Sequence, residues 1–312
     1  MVWQDIAPML ATAGTPFDSP DFLFEIKWDG VRAIAVIDAQ NTTLFSRNGL
    51  DITPRYPELQ FSGQFQHIPV VLDGEIIALR DGMPDFYTLQ TRDRLQDQRK
   101  IAAAVRTTPV IFMAFDLLRM EGKDVTALPL RQRKELLQLV AKAGKNLLLS
   151  EFVVGAGMEL VEFTRAKGLE GVVAKRLDSP YLRGQRSGNW VKVRNTRSMS
   201  CVVCGYLAGR GSRKELGSLI LGAYTADGLA YIGCVGSGIS RRDINLLHEP
   251  LRRLTRVDCP FQVVPDLKGA VWLEPRLVCE IHYLEKRKVL RHPVFVGWRG
   301  DKSPKQCGWE QA

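Results

Sequence analysis

Hydrophobic positions in the first half of the chain fall mainly into short runs and alternations. Residues 23–27, 32–37, 43–46, 70–73, 75–79, 110–118 and 171–175 are rich in Val, Ile, Leu and Phe and are bounded by Gly, Asp and Pro, a pattern that predicts strands. Apolar residues recur at helical spacing over 84–94, 99–106, 130–143 and 157–167, with Pro129 just ahead of the third segment. Strands and helices do not alternate as they do in a doubly wound sheet. The expected class is therefore α/β of the α+β kind, with sizeable antiparallel sheets.

Beyond Asn195 the pattern changes. Short apolar segments at 201–207, 218–224, 229–235 and 278–284 are separated by glycine turns, and one amphipathic helix is expected near 241–254. Short strands and a single helix in a segment of this size predict an all-β OB-fold, a small Greek-key barrel. The expected division is a first domain over 1–196 and a second over 197–312.

A chain of 312 residues, 45% hydrophobic and 25% charged, has enough apolar mass for two cores. No stretch approaches the roughly 18 uncharged apolar residues of a membrane helix, and Met1–Ala13 lacks a signal-peptide pattern, so a cytoplasmic protein without membrane contact is expected. Charge adds more. Residues 1–196 hold 25 Lys and Arg against 23 Asp and Glu, whereas 197–312 hold 18 against 11, so most of the net +9 lies in the last third. A localised positive field suits a polyanion such as nucleic acid, although a solvated basic surface fits the charge alone equally well. All six cysteines also lie in that third, without disulfide-framework spacing, and read as reduced thiols. Cys201 and Cys204 form a C-x-x-C, but in a strand they point to opposite faces, which disfavours a zinc knuckle.

The segment Glu25-Ile26-Lys27-Trp28-Asp29-Gly30-Val31-Arg32 carries candidate chemistry. A strand delivers a lysine to a tight Asp-Gly turn, and an arginine comes next, so an amine, a carboxylate and a guanidinium share one small space. A lysine amine attacks phosphorus once it is deprotonated, which burial or neighbouring cations favour. Alone, K-x-D-G reads equally well as a solvated lysine beside a hairpin turn.

Downstream segments, in their order along the chain, tip the balance towards chemistry. K-x-D-G-x-R resembles motif I of the covalent nucleotidyltransferases, the superfamily of DNA ligases, RNA ligases and capping enzymes. Ser46-Arg47-Asn48-Gly49 resembles motif Ia, Leu72-Asp73-Gly74-Glu75-Ile76 motif III and Ala114-Phe115-Asp116-Leu117-Leu118 motif IIIa. Glu170-Gly171-Val172-Val173-Ala174-Lys175-Arg176 resembles motif IV, and Trp190-Val191-Lys192-Val193-Arg194 motif V, with Arg194 where a second lysine is common. The segment from Arg291 to Lys302 resembles motif VI of DNA ligases. Asp178-Ser179-Pro180-Tyr181, residues 211–222 and Val235-Gly236-Ser237-Gly238 are similar to the ligase module of bacterial end-joining ligase D and its stand-alone relatives.

The resemblance implies an ATP-dependent DNA ligase with an adenylation (nucleotidyltransferase) domain followed by the OB-fold domain. Lys27 would be the catalytic nucleophile that carries AMP. Glu25 would accept a hydrogen bond from the adenine amino group, with Ile26 also in the nucleotide site, and Phe115 would stack on the base. Glu75 would hold the ribose hydroxyl, Arg32 the ribose and nick phosphate, and Arg47 the 5'-phosphate. Lys192 and Arg194 would grip the α-phosphate, while Arg299 and Lys302, with Arg291 as a further candidate, would orient the leaving pyrophosphate. Glu170, together with Glu75, would ligate Mg2+ or Mn2+. Implied partners are nicked double-stranded DNA and the end-joining protein Ku, with the chain a monomer and residues 211–222 a candidate DNA clamp. An RNA ligase, a capping enzyme using GTP, or a catalytically silent nucleic-acid-binding protein are the rival readings.

Overall fold

The computed structural model describes residues 7–209 and 216–310. The chain divides into two compact units that meet between Asn195 and Thr196. Strands β1 (Leu10–Ala13), β2 (Ser19–Ile26), β3 (Val31–Ile37), β4 (Thr42–Ser46), β5 (Val70–Arg80) and β6 (Met83–Pro84) open the first unit, followed by helices α1 (Phe86–Asp93) and α2 (Gln98–Thr107). Then come β7 (Val110–Met120), β8 (Lys123–Asp124), α3 (Leu130–Val140), β9 (Leu147–Leu149), β10 (Phe152–Gly155), α4 (Gly157–Ala166), β11 (Gly171–Arg176) and β12 (Arg186–Arg194).

These strands build a five-stranded sheet in the order β1-β12-β11-β2-β10 and a seven-stranded sheet along β4-β3-β5-β7-β8, with β6 on β5 and β9 on β7. Pairing is antiparallel except for β1 with β12 and β7 with β9. One apolar cluster draws Ile34, Val71 and Phe115 from the larger sheet and Trp190 from the smaller, so the two sheets face each other there. A larger cluster, including Tyr56, Phe61, Phe112 and Leu137, fills another part of the unit. Phe24, Val172 and Val193 of the smaller sheet pack with Val161 of α4. The cleft between the sheets is where polar side chains gather.

The continuous β5 replaces the two strands expected at 70–73 and 75–79. Gly74 marks a close approach of β7, not a turn. A Cβ there would lie 2.4 Å from the Phe112 ring and 2.8 Å from the Met113 carbonyl oxygen, so only glycine lets the strands pass. β12 is hard to read as a strand in sequence because its first half, Arg186 to Asn189, is polar and carries no apolar alternation.

The second unit contains β13 (Arg197–Leu207), β14 (Ser218–Thr225), β15 (Gly228–Val235), α5 (Arg241–Leu254), β16 (Thr255–Arg256), β17 (Ala270–Tyr283), β18 (Glu285–Lys286), β19 (Leu290–Arg291) and β20 (Val294–Trp298). Its main sheet runs β15-β14-β13-β17-β16, with β20 also on β17. A parallel bridge between Ser237 and Val294, just past β15, brings the far edge of the sheet to β20, so the sheet curls round to meet itself. Ser240 and Asp243 cap α5 reciprocally. Cys201 and Cys204 are buried in separate apolar clusters on opposite faces of β13, and all six thiols are free. In the candidate clamp, residues 210–215 lie outside the described residues; from Leu216, which is buried, the chain runs into β14. Among the described residues, no helix is long and apolar enough to cross a membrane.

Candidate active site

β2 alternates, so Leu23, Glu25 and Lys27 project to one side. Antiparallel pairing sets Glu25 opposite Val173 and Ile26 opposite Val172 of β11, and the Lys27 amide donates to the Gly171 carbonyl at 2.8 Å. That register carries the Lys27 ammonium to Glu170, on whose Oε2 it donates. The other Glu170 oxygen accepts from Arg194 Nε at 3.2 Å. Gly171 has φ of 144°, and a Cβ there would lie 2.1 Å from the Val193 carbonyl oxygen, so glycine is required immediately after the carboxylate that meets Lys27.

The facing sheet closes the other side. Arg32 of β3 is registered against Glu75 of β5. A Cβ on Gly30 would lie 2.1 Å from the Ile76 carbonyl oxygen and 2.8 Å from Glu75 Cγ, which explains why the turn after Lys27 ends in glycine. Arg32 grips Asp73 through two hydrogen bonds of 2.9 and 2.6 Å, and the Tyr181 hydroxyl donates to the same carboxylate at 2.6 Å. Burial opposes the Arg32 charge, but Asp73 outweighs it and holds the guanidinium protonated.

A cavity of about 220 Å3 opens between these groups. It brings together Glu25, Ile26, Lys27, Arg32, Arg47, Glu75, Phe115, Lys192 and Arg194, nine site candidates spread across the sequence of the first unit. Glu170 joins them through Lys27 and Arg194. Arg47 stands exposed at the rim. Burial, reinforced by Arg194, Arg186 and Lys27, lowers the pKa of Lys192. Such clustered cations suit a ligand with several phosphates.

The cavity also holds groups that motif spacing alone does not single out. Lys175 of β11 is buried, 2.8 Å from Glu25 Oε2, and its ammonium lies 4.2 Å from the Phe115 ring centre and 4.4 Å from that of Trp190. Strand alternation from Val173, the partner of Glu25, is the signal that identifies it. Burial pushes the Lys175 pKa down from 10.5 to about 8 despite Glu25. Between those values the unfolded chain binds a proton that the native state lacks, so folding stability rises with pH there and the gain is lost as pH falls through 8. Lys175→Met removes the titration. In urea denaturation, wild type should therefore gain stability relative to the variant from pH 8 to 10.5, and parallel curves would contradict the assignment.

Glu75 is pushed up to about 8, first by burial, with Lys27 and Arg32 opposing and Glu170 and Asp73 reinforcing. Among the described residues no cluster of three or more His, Cys, Asp or Glu side chains forms a metal cage. Two carboxylates are nonetheless a suitable set of hard oxygen donors for Mg2+, which commonly binds through one or two carboxylates plus substrate phosphates. A buried carboxyl that resists ionisation fits the same picture, because a nearby cation would favour its charged form.

In the second unit, Arg299 follows β20. It donates to Asp301 twice, at 2.8 Å each, and to Glu280 at 3.0 Å. The Arg299 hydrogen bonds lower the Asp301 pKa to about 2. Lys302 donates to Ser200 Oγ at 3.0 Å. The segment is structured, with Phe295 buried and Trp298 packed on the core.

Comparison with known proteins gives a separate line of support. A family model described as ATP dependent DNA ligase domain matches residues 8–194, and one described as ATP dependent DNA ligase C terminal region matches 212–302. The chain is similar to the multifunctional non-homologous end joining protein LigD of Mycolicibacterium smegmatis, 34% identical over 98% of this chain, but spans only 40% of that relative's length. DNA ligase C1 of the same organism is 33% identical, with 99% of this chain and 94% of the relative covered. Among solved structures, mycobacterial DNA ligase D complexed with ATP and MES matches with a TM-score of 0.57 and 34% identity, covering 98% of this chain and 99% of that one.

Proposed function

The chain belongs to the ATP-dependent DNA ligase family, and from that premise we propose that it seals nicks in duplex DNA through a lysyl-AMP intermediate on Lys27, in DNA repair such as end joining. The first unit serves as the adenylation domain and the second as an OB-fold domain that binds DNA. The observation that carries the reading is the meeting of Lys27, Arg194 and Lys192 at one cation-lined cavity, with Glu170, 143 residues from Lys27, accepting hydrogen bonds from Lys27 and Arg194.

In the proposed cycle the Lys27 amine attacks the α-phosphate of ATP, an N–P bond forms and pyrophosphate leaves. AMP then passes to the 5'-phosphate of the nick, and the 3'-hydroxyl displaces it. Each step is a phosphoryl-type transfer, governed by positioning and charge neutralisation. Glu170 orients the Lys27 amine by accepting its hydrogen bond. Lys192 and Arg194 hold the α-phosphate, Glu75 the ribose hydroxyl, and Arg32, already fixed by Asp73, the ribose and nick phosphate. Arg47 at the rim receives the 5'-phosphate. Phe115 stacks on the base while Glu25 accepts from its amino group. Glu170 and Glu75 would hold Mg2+ or Mn2+, which supplies charge neutralisation at the reacting phosphate. The assignment of Arg299 and Lys302 to the pyrophosphate rests on the resemblance. A cytoplasmic monomer recruited by Ku completes the proposal.

A 5'-labelled nicked duplex incubated with divalent metal and ATP, GTP or no nucleotide provides the test. Sealing with ATP alone is expected. Labelling of the protein by GTP in preference to ATP, without sealing, would favour a capping-type enzyme, and DNA binding with neither labelling nor sealing a silent scaffold.

A further inference from the structure

On the inner face of α3, residues Leu130, Arg133, Lys134, Leu137 and Val140 are buried. Two charged residues therefore occupy positions where an amphipathic helix ordinarily carries leucine. Arg133 reaches Asp116, next to Phe115 on β7. Lys134 reaches Glu25: its Nζ is in ion-pair contact with Oε1, while Lys175 binds Oε2 at 2.8 Å. Its ammonium also lies 5.2 Å from the ring centre of Phe152, the β10 residue registered against Glu25. The Lys134 and Glu25 side chains are 4% and 3% exposed. Lys134 itself is not among the cavity-lining residues, whereas Glu25 is.

Burying an ammonium is costly even when it is paired, and an apolar residue of similar volume often serves stability as well or better. The geometry supplies another role for the charge. Glu25 is clamped from both sides, one oxygen to each lysine, which fixes the plane of its carboxylate. Oε1 and the Lys134 Nζ are both fully buried, and they meet as an ion pair without a well-formed hydrogen bond, while Glu25 itself lines the cavity. A carboxylate has about four acceptor positions, so an oriented acceptor remains for a ligand in the cavity.

We propose that Lys134 is a positioning residue for nucleotide selection: it holds Glu25 so that the free acceptor meets the exocyclic amine of adenine. The inference rests on the ligase reading and on the contact assigned there to Glu25. A base with a carbonyl at that position presents an acceptor to an acceptor and is rejected; a base with only hydrogen there gains nothing from the clamp.

The test compares ATP with purine riboside triphosphate, which lacks the exocyclic amine, in single-turnover labelling of the full chain. A hydrogen bond to a charged group makes the wild-type preference for ATP in kcat/KM roughly 10- to 100-fold. Lys134→Met should reduce that preference to within about threefold, with the loss confined to ATP and expressed mainly in KM. Lys134→Arg should restore part of it. Lys134→Gln, which keeps a polar side chain of similar reach, should lie between and serves if the methionine variant does not fold. Equal losses for both nucleotides, leaving the preference intact, would mean that Lys134 is only structural and would overturn the proposal. A wild-type preference near unity would overturn it too. Failure of wild type to label with ATP at all would instead remove the ligase reading.

Discussion

Lys27→Ala should lose protein–AMP formation and the sealing of an ordinary nick by a factor of about 10^4 or more, as expected when a covalent nucleophile is deleted. It should still seal a nick whose 5'-phosphate already carries AMP. The amine takes part only in the two steps that pass AMP through the protein, whereas the final attack by the 3'-hydroxyl needs the phosphate-holding cations, and Lys192, Arg194 and Arg32 all remain. Lys27 is partly exposed at the cavity, with its side chain 20% accessible, so its truncation leaves no apolar void in the core. The comparison is made with paired substrates, one plain and one pre-adenylylated. Equal collapse on both would mean that Lys27 supports the site structurally; retained activity on the plain nick would remove it as nucleophile.

The largest stability effect is expected at Asp116. Its carboxylate and the Arg133 guanidinium are both fully buried and joined by hydrogen bonds of 2.8 and 2.9 Å, while Arg133 also donates to the Leu128 and Ser179 carbonyls. Asp116→Ala strands a buried cation, and breaking such a pair from one side costs about 3–5 kcal/mol. Chemical denaturation should register that loss as a lower midpoint. Adding Arg133→Met removes the stranded charge and should recover much of it, since apolar replacement of both partners is often close to neutral. A double variant less stable than the single one would show that Arg133 contributes mainly through its carbonyl contacts.

Most of the cavity is legible in the sequence because its residues occupy the ends and alternate positions of strands, where motif spacing translates directly into side-chain direction. Glu25 on β2 and Lys27 just past its end, two residues apart, face one cavity for that reason. Groups that act from beneath are harder to find. Lys134 and Arg133 adjoin one another on α3, and the solvent-facing reading of an Arg-Lys pair is the ordinary one; only their fit to the buried helical spacing of Leu130 and Leu137 betrays them. Asp73 belongs to the segment that resembles motif III, but its grip on Arg32 depends on the β3–β5 register, which spacing alone does not fix. Gly74 divides the strand pattern in sequence because glycine signals a turn and a close approach of chains alike. In the second unit the β-rich character is plain from glycine-punctuated apolar runs. β20 is not legible in the same way, because Val294 and Val296 face outward and only Phe295 is buried.

Peptide mapping of the wild-type protein after incubation with ATP and Mg2+ tests the central claim most directly. One AMP should be found per chain, attached through an acid-labile phosphoamide to the peptide containing Lys27. AMP on another side chain, or none on a protein that nevertheless seals nicks, would contradict the account.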